Sequence, residues 1–333
     1  MSALTVVTGA AGFIGSRLVA ALNRAGIREI LAVDDLSEGA NAKNLFALRV
    51  ADYMDKREFL TRVSSGSFSG EIAAVMHQGA CTDTTETNGQ YMMENNYAYS
   101  KVLLDWCQNE EVPLIYASSA AVYGAGRRFA EDPVNEGPLN VYAYSKQLFD
   151  RHVESRAGER TAQVAGLRYF NVYGPNESHK KTARYNMTSI ALQTWQQFRA
   201  RGYVELFAGT DGYGDGEQVR DFVHVDDVVA VNLWLLQHPD VSGIFNCGTG
   251  RAQSFNDVAA AVINTVKGSS LSIAELRQGG LIRYIPFPEK LKGKYQSFTQ
   301  ADLTLLRGAG YAGAFRPVEE GVAEYVRELE KNA

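Results

Sequence analysis

The chain has 333 residues, of which 45% are hydrophobic and 21% charged, and its formal net charge is −5 at pH 7. These values exclude a disordered chain, and they leave no basic surface for nucleic acid or an anionic membrane. Three widely spaced cysteines, Cys81, Cys107 and Cys247, indicate neither a disulfide framework nor a metal site. The sequence has no signal peptide pattern and no apolar run of membrane-spanning length, so we expect a cytoplasmic protein.

The first 170 residues alternate short apolar runs with helical patterns. This alternation predicts an α/β fold with a Rossmann-like, doubly wound parallel sheet that helices cover on both faces. Two helices are predicted at residues 16–25 and 143–156. Strands are predicted at residues 4–8, 29–34, 47–52, 74–78, 114–118 and 163–168.

The regular pattern fades after Asn171 and returns over residues 220–250. We therefore expect residues 1–171 and about 221–250 to form a dinucleotide-binding domain. Residues about 172–220 and 251–333 are expected to form a smaller, discontinuous substrate-binding domain over the carboxyl ends of the sheet.

Three glycines, Gly9, Gly12 and Gly15, lie between the first predicted strand and the first predicted helix. Glycines at this point let the backbone turn tightly and approach a pyrophosphate at the helix N-terminus. An acidic residue is expected about 20 residues further on, where it binds the adenosine ribose. Asp34 or Asp35 meets that expectation, and a carboxylate there repels a 2′-phosphate, which favours NAD over NADP.

A second pattern indicates proton transfer beside the cofactor. Ser119 follows a predicted strand, and Tyr142 and Lys146 are four residues apart on one predicted helix, so their side chains are neighbours. An adjacent ammonium and a cationic nicotinamide both favour the tyrosine phenolate. We expect Tyr142 to take a proton from an alcohol, Ser119 to hold the reacting oxygen and Lys146 to bind the nicotinamide ribose.

The order of these motifs resembles that of the extended short-chain dehydrogenases/reductases that act on nucleotide sugars, and the resemblance covers essentially the whole chain. The tracts at residues 168–175 and 220–223 are shared by many members of that family. More specific tracts resemble the branch that epimerises an ADP-heptose, and they lie at residues 51–56, 91–96, 178–180 and 291–296.

The resemblance implies inversion at C6″ of an ADP-heptose that is used for the lipopolysaccharide inner core. The expected route is oxidation to an enzyme-bound 6″-aldehyde, rotation of that group and return of hydride to its other face. Two groups would exchange the proton, one for each epimer, and the resemblance assigns these roles to Tyr142 and Lys180. Lys180 then needs a lowered pKa. The resemblance also implies NADP as the family's cofactor, one per subunit, and a homo-oligomer, a pentamer in this branch.

The resemblance assigns further residues to each ligand. Besides the glycines and Asp34 or Asp35, the cofactor-binding residues are Phe13, Ile14, Asn41, Lys56, Gln78, Gly79, Ala80, Cys81, Thr82, Asn95, Lys146, Val172 and Lys180. The substrate-binding residues are Ser119, Asn171, Asn186, Gln193, Phe207, Ala208, Gly209, Thr210, Arg220 and Tyr295. Arg220 suits a pyrophosphate because a guanidinium binds it through two hydrogen bonds.

Several positions depart from the family's pattern. Asn41 stands where relatives often have a lysine that meets a 2′-phosphate, so NAD and NADP both stay open. Gln193 stands where a histidine is frequent, and residues 181–186 and 211–218 resemble insertions beside the substrate.

Other functions share parts of this pattern. A UDP-hexose 4-epimerase would use the same Ser119, Tyr142 and Lys146, but it gives no role to Lys180. A 4,6-dehydratase typically has an Asp-Glu pair after the catalytic hydroxyl residue, where this chain has Ala120 and Ala121. A non-catalytic, dinucleotide-sensing protein would need no proton-transfer residue.

Overall fold

The computed structural model describes residues 3–37, 39–84, 86–181, 186–289 and 295–332. Its largest element is a seven-stranded sheet in the order β10-β6-β5-β4-β1-β2-β3, in which all neighbouring strands are parallel. This sheet confirms the predicted α/β class. Its strands are β1 (Leu4–Thr8), β2 (Ile30–Asp34), β3 (Asp52–Asp55), β4 (Ile72–His77), β5 (Leu114–Ser119), β6 (Val164–Tyr169) and β10 (Gly243–Cys247).

Helices cover both faces of this sheet. One face packs against α1 (Phe13–Arg24), α7 (Val225–Gln237) and α10 (Thr304–Gly308). The other packs against α2 (Lys56–Ser64), α4 (Tyr99–Asn109) and α5 (Val141–Ser155). Both layers are largely apolar where they meet the sheet, which explains why strands such as β1 and β6 are buried along almost their whole length.

The predicted third strand was wrong in position. Residues 47–51 form no strand, and β3 begins only at Asp52, where the prediction ended. β3 is an edge strand with a single buried residue, Met54, so it lacks the apolar run that marks the central strands. The apolar residues just before it, Leu48 and Val50, instead pack partly buried against the α1 side of the core.

Two smaller sheets come from the remaining strands. One has the order β11-β9-β7, formed by β7 (Asn171–Tyr173), β9 (Val219–His224) and β11 (Ala252–Ser254). The other pairs β8 (Val204–Phe207) with β12 (Ile282–Ile285). They pack with the remaining long helices, α6 (Ile190–Arg201), α8 (Phe255–Lys267), α9 (Ile273–Gln278) and α11 (Val318–Lys331).

The segment before α4 contains the short helix α3 (Gly89–Met93) and one π turn at Glu94–Ala98. π turns within helices recur at functional sites because they redirect side chains. Here the turn contains Asn95 and Asn96, which belong to the site described below. Among the described residues, no helix is long and apolar enough to cross a bilayer.

Candidate active site

A cavity of about 580 Å³ lies at the carboxyl ends of β1, β2, β4, β5 and β6. This edge is the usual ligand position in open parallel sheets. The cavity brings together all the residues that were expected to bind the cofactor, together with Ser119 and Tyr142. Of the other residues expected to bind substrate, Asn171 also lines it.

The glycine turn fits a dinucleotide because the backbone there is packed too tightly for any side chain. Gly9 has φ +65°, and a Cβ on Gly15 would lie 1.9 Å from the carbonyl oxygen of Gly9. Helix α1 begins after Gly12 without a side-chain cap, so its first backbone N–H groups are left for a ligand in the cavity. This donor set suits the pyrophosphate of a nicotinamide dinucleotide.

Two neighbouring carboxylates lie at the end of β2. Asp34 accepts backbone hydrogen bonds from Ala11 and Asp35, each at 2.7 Å, and burial raises the pKa of its carboxyl group. Asp35 forms an ion pair with Lys56 at 3.1 Å. Hydrogen bonds from Ser37, aided by Lys56, lower the pKa of Asp35 to about 2. Both side chains retain lone pairs that a ribose hydroxyl can use.

A buried chain of hydrogen bonds supports the cofactor loop, and the sequence did not reveal it. The Ser100 hydroxyl donates to the carbonyl oxygen of Asn96, so Ser100 Oγ accepts from His77 Nε2 at 2.9 Å. His77 Nδ1 therefore accepts from the hydroxyl of Thr8 at 2.7 Å, and Thr8 in turn accepts from the N–H of Gly79 at 3.1 Å. Burial lowers the pKa of His77 to about 3, which keeps the imidazole neutral and this chain intact.

Asn96 joins the same loop to the catalytic helix. Its side chain accepts from the N–H of Cys81 at 2.7 Å and donates to the carbonyl oxygen of Cys81 at 2.9 Å. It also donates to the hydroxyl of Ser145 at 3.1 Å, and that hydroxyl donates to the carbonyl oxygen of Tyr142. The position of Tyr142 is thus linked to the backbone beside the cofactor.

Tyr142 is half-buried in the cavity wall. Burial raises the pKa of its phenol, and a hydrogen bond with Ser119 opposes that rise. Ser119 ends β5 and accepts a hydrogen bond from the N–H of Ala121 at 3.1 Å, which fixes its hydroxyl at the start of a 3₁₀ turn. Ser119 and Tyr142 therefore present two hydroxyl groups to the same part of the cavity.

The ammonium of Lys146, which was expected beside Tyr142, is held by the backbone of β5. Its Nζ donates to the carbonyl oxygen of Ala117 at 2.7 Å, and the side chain is buried beneath the cavity. Burial lowers the pKa of Lys146 to about 8, although Asp150 one turn further along α5 opposes the change. Asp150 is itself held by Ser118 at 2.8 Å and Arg168 at 2.9 Å.

Lys180 lies on a separate segment above the glycine turn. It ends a 3₁₀ turn at Ser178–Lys180, and its Nζ is 4.9 Å from the centre of the Phe13 ring. Burial lowers the pKa of Lys180, and Glu177 opposes this. Lys180 and Tyr142 line the same cavity from different elements, as the two-group hypothesis requires.

The chain that follows Lys180 adds wall residues that the sequence did not indicate. An antiparallel bridge joins Lys181 to Asn186, and the N–H of Met187 donates to the carbonyl oxygen of Lys180 at 3.1 Å. This return of the chain is set by contacts distant in sequence, so no local motif marks it. The added wall residues are Met187, Thr188, Ser189 and Ile190.

The remaining residues expected to bind substrate do not line this cavity. Arg220 is buried, with its guanidinium 4.8 Å from the Tyr295 ring centre and 5.8 Å from that of Phe255, a cavity residue. Phe207 and Tyr295 both pack on the ring of Phe287. Residues 291–294 of the specific tract before Tyr295 lie outside the described residues, as do residues 182–185 of the first insertion.

The other residues expected to bind substrate lie near Thr188 or directly after Phe207. Gln193 donates to the carbonyl oxygen of Thr188 at 2.7 Å, and Asn186 accepts from the Thr188 hydroxyl at 2.6 Å. Both residues therefore fix Thr188 in the cavity wall although neither lines the cavity itself. The second insertion folds back on Ala208 and Gly209. Gly209 donates to Asp215 at 2.9 Å, and Gln218 donates to the carbonyl oxygen of Ala208 at 2.9 Å. Thr210 follows directly, and its carbonyl oxygen accepts from Tyr213.

Comparison with known proteins decides the family. The model of the NAD dependent epimerase/dehydratase family matches residues 5–248, more than half of the chain. The chain belongs to this family. Its members are nicotinamide-dependent enzymes, which agrees with the glycine turn and with the carboxylates of Asp34 and Asp35 in the cavity.

Individual members of the family are similar over their whole length. The ADP-L-glycero-D-manno-heptose-6-epimerase of Thiobacillus denitrificans is 56% identical over 333 residues, which cover 99% of each chain. The crystal structure of the enzyme of the same name from Helicobacter pylori is 28% identical, with a TM-score of 0.81 over 99% of this chain and 96% of that one. The UDP-glucose 4-epimerase of Thermotoga maritima is 27% identical, with a TM-score of 0.77 over 99% of both chains.

Proposed function

We propose that this chain converts ADP-D-glycero-D-manno-heptose to ADP-L-glycero-D-manno-heptose by inverting C6″. The observation that carries the proposal is the placement of Lys180 in one cavity with Ser119 and Tyr142. It occurs in a chain 56% identical, over 99% of its length, to an enzyme of that name. A 4-epimerase gives Lys180 no role.

The proposed reaction separates hydride transfer from proton transfer. A nicotinamide cofactor, held by the glycine turn and the carboxylates at the end of β2, would supply the reversible acceptor for the C6″ hydride. Tyr142 and Ser119 hold the C6″ oxygen of one epimer, and Tyr142 exchanges its proton. After the side chain of the sugar rotates, Lys180 exchanges the proton of the other epimer. Because C6″ of a heptose also bears C7″, the carbonyl formed there is a ketone, which corrects the aldehyde expected above.

The phenol of Tyr142 becomes reactive only when a nicotinamide cofactor is bound in the cavity. Burial raises its pKa, so the free protein holds it protonated at neutral pH. A cationic nicotinamide ring in the cavity favours the phenolate, and the Ser119 hydroxyl stabilises it by a hydrogen bond. Lys146, fixed on Ala117, adds positive charge beneath the cavity and is placed to bind the nicotinamide ribose.

We infer that Arg220 and Tyr295 bind the ADP pyrophosphate and that Phe207 and the chain to Thr210 contact the nucleotide. Arg220 supports this assignment because it is buried between two rings and carries guanidinium N–H groups in excess of its single backbone contact with Val219. The assignment rests on the predicted division of the chain into a cofactor domain at residues 1–171 and about 221–250 and a substrate domain at about 172–220 and 251–333.

We also infer that NAD is preferred over NADP. Asp34 and Asp35 place two carboxylates where a 2′-phosphate would lie, and Asn41 brings no positive charge. Lys56, the nearby cation in the described cavity wall, already forms an ion pair with Asp35. A dianionic phosphate would therefore meet net negative charge at this position.

The proposed function is tested by product analysis. Purified protein is incubated separately with the D-glycero ADP-heptose and with UDP-glucose, and the sugars are identified by NMR. Inversion at C6″ without consumption of added cofactor is expected, with no turnover of UDP-glucose. Turnover of UDP-glucose at C4″ without C6″ inversion would contradict the proposal.

A further inference from the structure

We propose that Glu177 is a positioning residue for Lys180, because its buried carboxylate fastens the segment that carries Lys180 and supplies the negative charge that the ammonium faces. This inference rests on the proposed role of Lys180 in the epimerisation. Glu177 has no exposed surface, yet it is an acidic residue three positions before Lys180. Buried carboxylates are costly unless they are hydrogen-bonded and paired, so its position needs an explanation.

The side chain of Glu177 is hydrogen-bonded to Ser189, which lies twelve residues further along the chain. One carboxylate oxygen accepts from the backbone N–H of Ser189, and the other accepts from the Ser189 hydroxyl at 2.6 Å. Ser189 is also the N-cap of α6, where it accepts from Leu192. Through its backbone, Glu177 accepts from the N–H of Lys180 at 3.0 Å. Glu177 is therefore bonded both to Ser189, at the start of α6, and to Lys180, whose side chain lines the cavity.

The hydrogen-bond partners of the Glu177 carboxylate all donate to it: the N–H and the hydroxyl of Ser189, and the N–H of Gly174 at 3.5 Å. An ionised carboxylate accepts four hydrogen bonds and donates none, so the surroundings suit the charged form. Lys180 is the positive charge that stabilises it, and the effect is reciprocal. Burial raises the pKa of Glu177 and lowers that of Lys180, and the charge of each residue opposes the effect of burial on the other.

Among the residues that the structure describes, few titratable groups act on this pair. Glu177 and Lys180 are three residues apart on one 3₁₀ turn, where such side chains are neighbours, and Tyr325 on α11 is the other titratable group beside Glu177. Lys180 also acts on His179, whose pKa burial lowers, so His179 is neutral above neutral pH. Above pH 7 the interaction of Lys180 with Glu177 can therefore be measured without a change in its other neighbour.

The test measures the proton affinity of Lys180 directly. Enzyme with bound cofactor is treated with trace acetic anhydride at pH 6 to 11, and acetylation of each lysine is read by peptide fragmentation. Lys181, adjacent and exposed, is the internal reference. Glu177→Gln is expected to lower the midpoint of Lys180 by about one pH unit, the lower end of the effect of a nearby opposite charge. Tyr325→Phe, which keeps the carboxylate, should leave that midpoint in place.

An unchanged or higher midpoint in folded Glu177→Gln protein would overturn the proposal. A second measurement needs no change at Glu177 and uses a His179→Gln background, which removes the imidazole titration. There, Lys180→Met should lower the melting temperature more at pH 7 than at pH 4, which lies below the raised pKa of Glu177. An equal loss at both pH values would also overturn it. Neither readout involves the sugar, so failure of the proposed function is a separate result.

Discussion

Lys146 donates a hydrogen bond from Nζ to the backbone carbonyl oxygen of Ala117 over 2.7 Å. This bond fastens the catalytic helix α5 to strand β5 directly beneath the cavity. It also explains how a lysine with only 5% of its surface exposed is tolerated, since the ammonium has a partner and Asp150 lies one turn away. The remaining burial cost should be visible in the stability of the protein.

Replacing Lys146 by methionine should change stability in a pH-dependent way. Burial lowers the pKa of Lys146 from 10.5 to about 8 in the folded chain. Below pH 8 the lysine is charged in both states and its burial costs on the order of 3 kcal/mol. Between about pH 8 and 10.5 the folded protein loses this proton first, so the cost disappears. In cofactor-free protein, urea unfolding at pH 7 to 10 should show that the unfolding free energy of wild type rises relative to that of Lys146→Met as the pH rises.

The matched control is Lys267→Met, which removes an exposed lysine at the end of α8. The difference in unfolding free energy between Lys267→Met and wild type should not show this dependence on pH. A difference between wild type and Lys146→Met that stays constant from pH 7 to 10 would contradict the burial of a charged Lys146.

Tyr142→Phe should reduce kcat for epimerisation by about 10²- to 10⁴-fold, the usual loss when a proton-transfer group is removed. The change deletes one oxygen and keeps the ring, so cofactor content and melting temperature should be nearly those of wild type. Tyr144→Phe is the control, because Tyr144 is on the same helix and 46% exposed. Equal activity of the two variants would exclude Tyr142 as the proton-transfer residue.

Lys180→Met should abolish epimerisation while leaving proton exchange at Tyr142 in place. The epimer that is oriented towards Tyr142 can still be oxidised, so the variant should show cofactor reduction, seen as absorbance near 340 nm, without inverted product. Lys181→Met removes the neighbouring, exposed lysine and should retain activity. A Lys180→Met enzyme that turned over normally would remove the need for a second group.

The cofactor released from purified protein should be NAD. Asp35→Asn combined with Asn41→Lys removes one negative charge and adds one positive charge beside the ribose, and it should shift binding towards NADP. Mass spectrometry of the released ligand and titration of stripped protein with both dinucleotides measure this. Recovery of NADP from the wild-type protein would show that the carboxylates do not set the preference.

The sequence predicted those parts of the fold that depend on local pattern. The central strands β1, β5 and β6 are mostly buried and were placed within a residue or two. Strand β3 was misplaced because, at the sheet edge, only Met54 is buried and no apolar run marks it. Strand position at an edge is set by pairing with β2, which the sequence does not display.

The same distinction applies to the residues of the site: those marked by a local motif were predicted, and those defined by distant partners were missed. Gly9, Ser119 and Tyr142 were found from spacing along single elements, and the cavity unites them. His77 and Glu177 were missed because each is defined by partners far away in sequence or by burial, and neither belongs to a local motif. The spacing predicted Lys146 beside Tyr142, but it could not indicate that Nζ donates to the backbone carbonyl oxygen of Ala117 on β5.

The central claim is that C6″ loses and regains the same hydrogen as hydride within one site, while protons pass through Tyr142 and Lys180. Epimerisation of ADP-heptose that carries deuterium at C6″, in ordinary water, tests it most directly. NMR and mass spectrometry of the inverted product should show the deuterium retained at C6″, and a matched reaction in D₂O with unlabelled substrate should place no deuterium there. Exchange of the C6″ hydrogen with solvent during inversion would contradict the hydride mechanism.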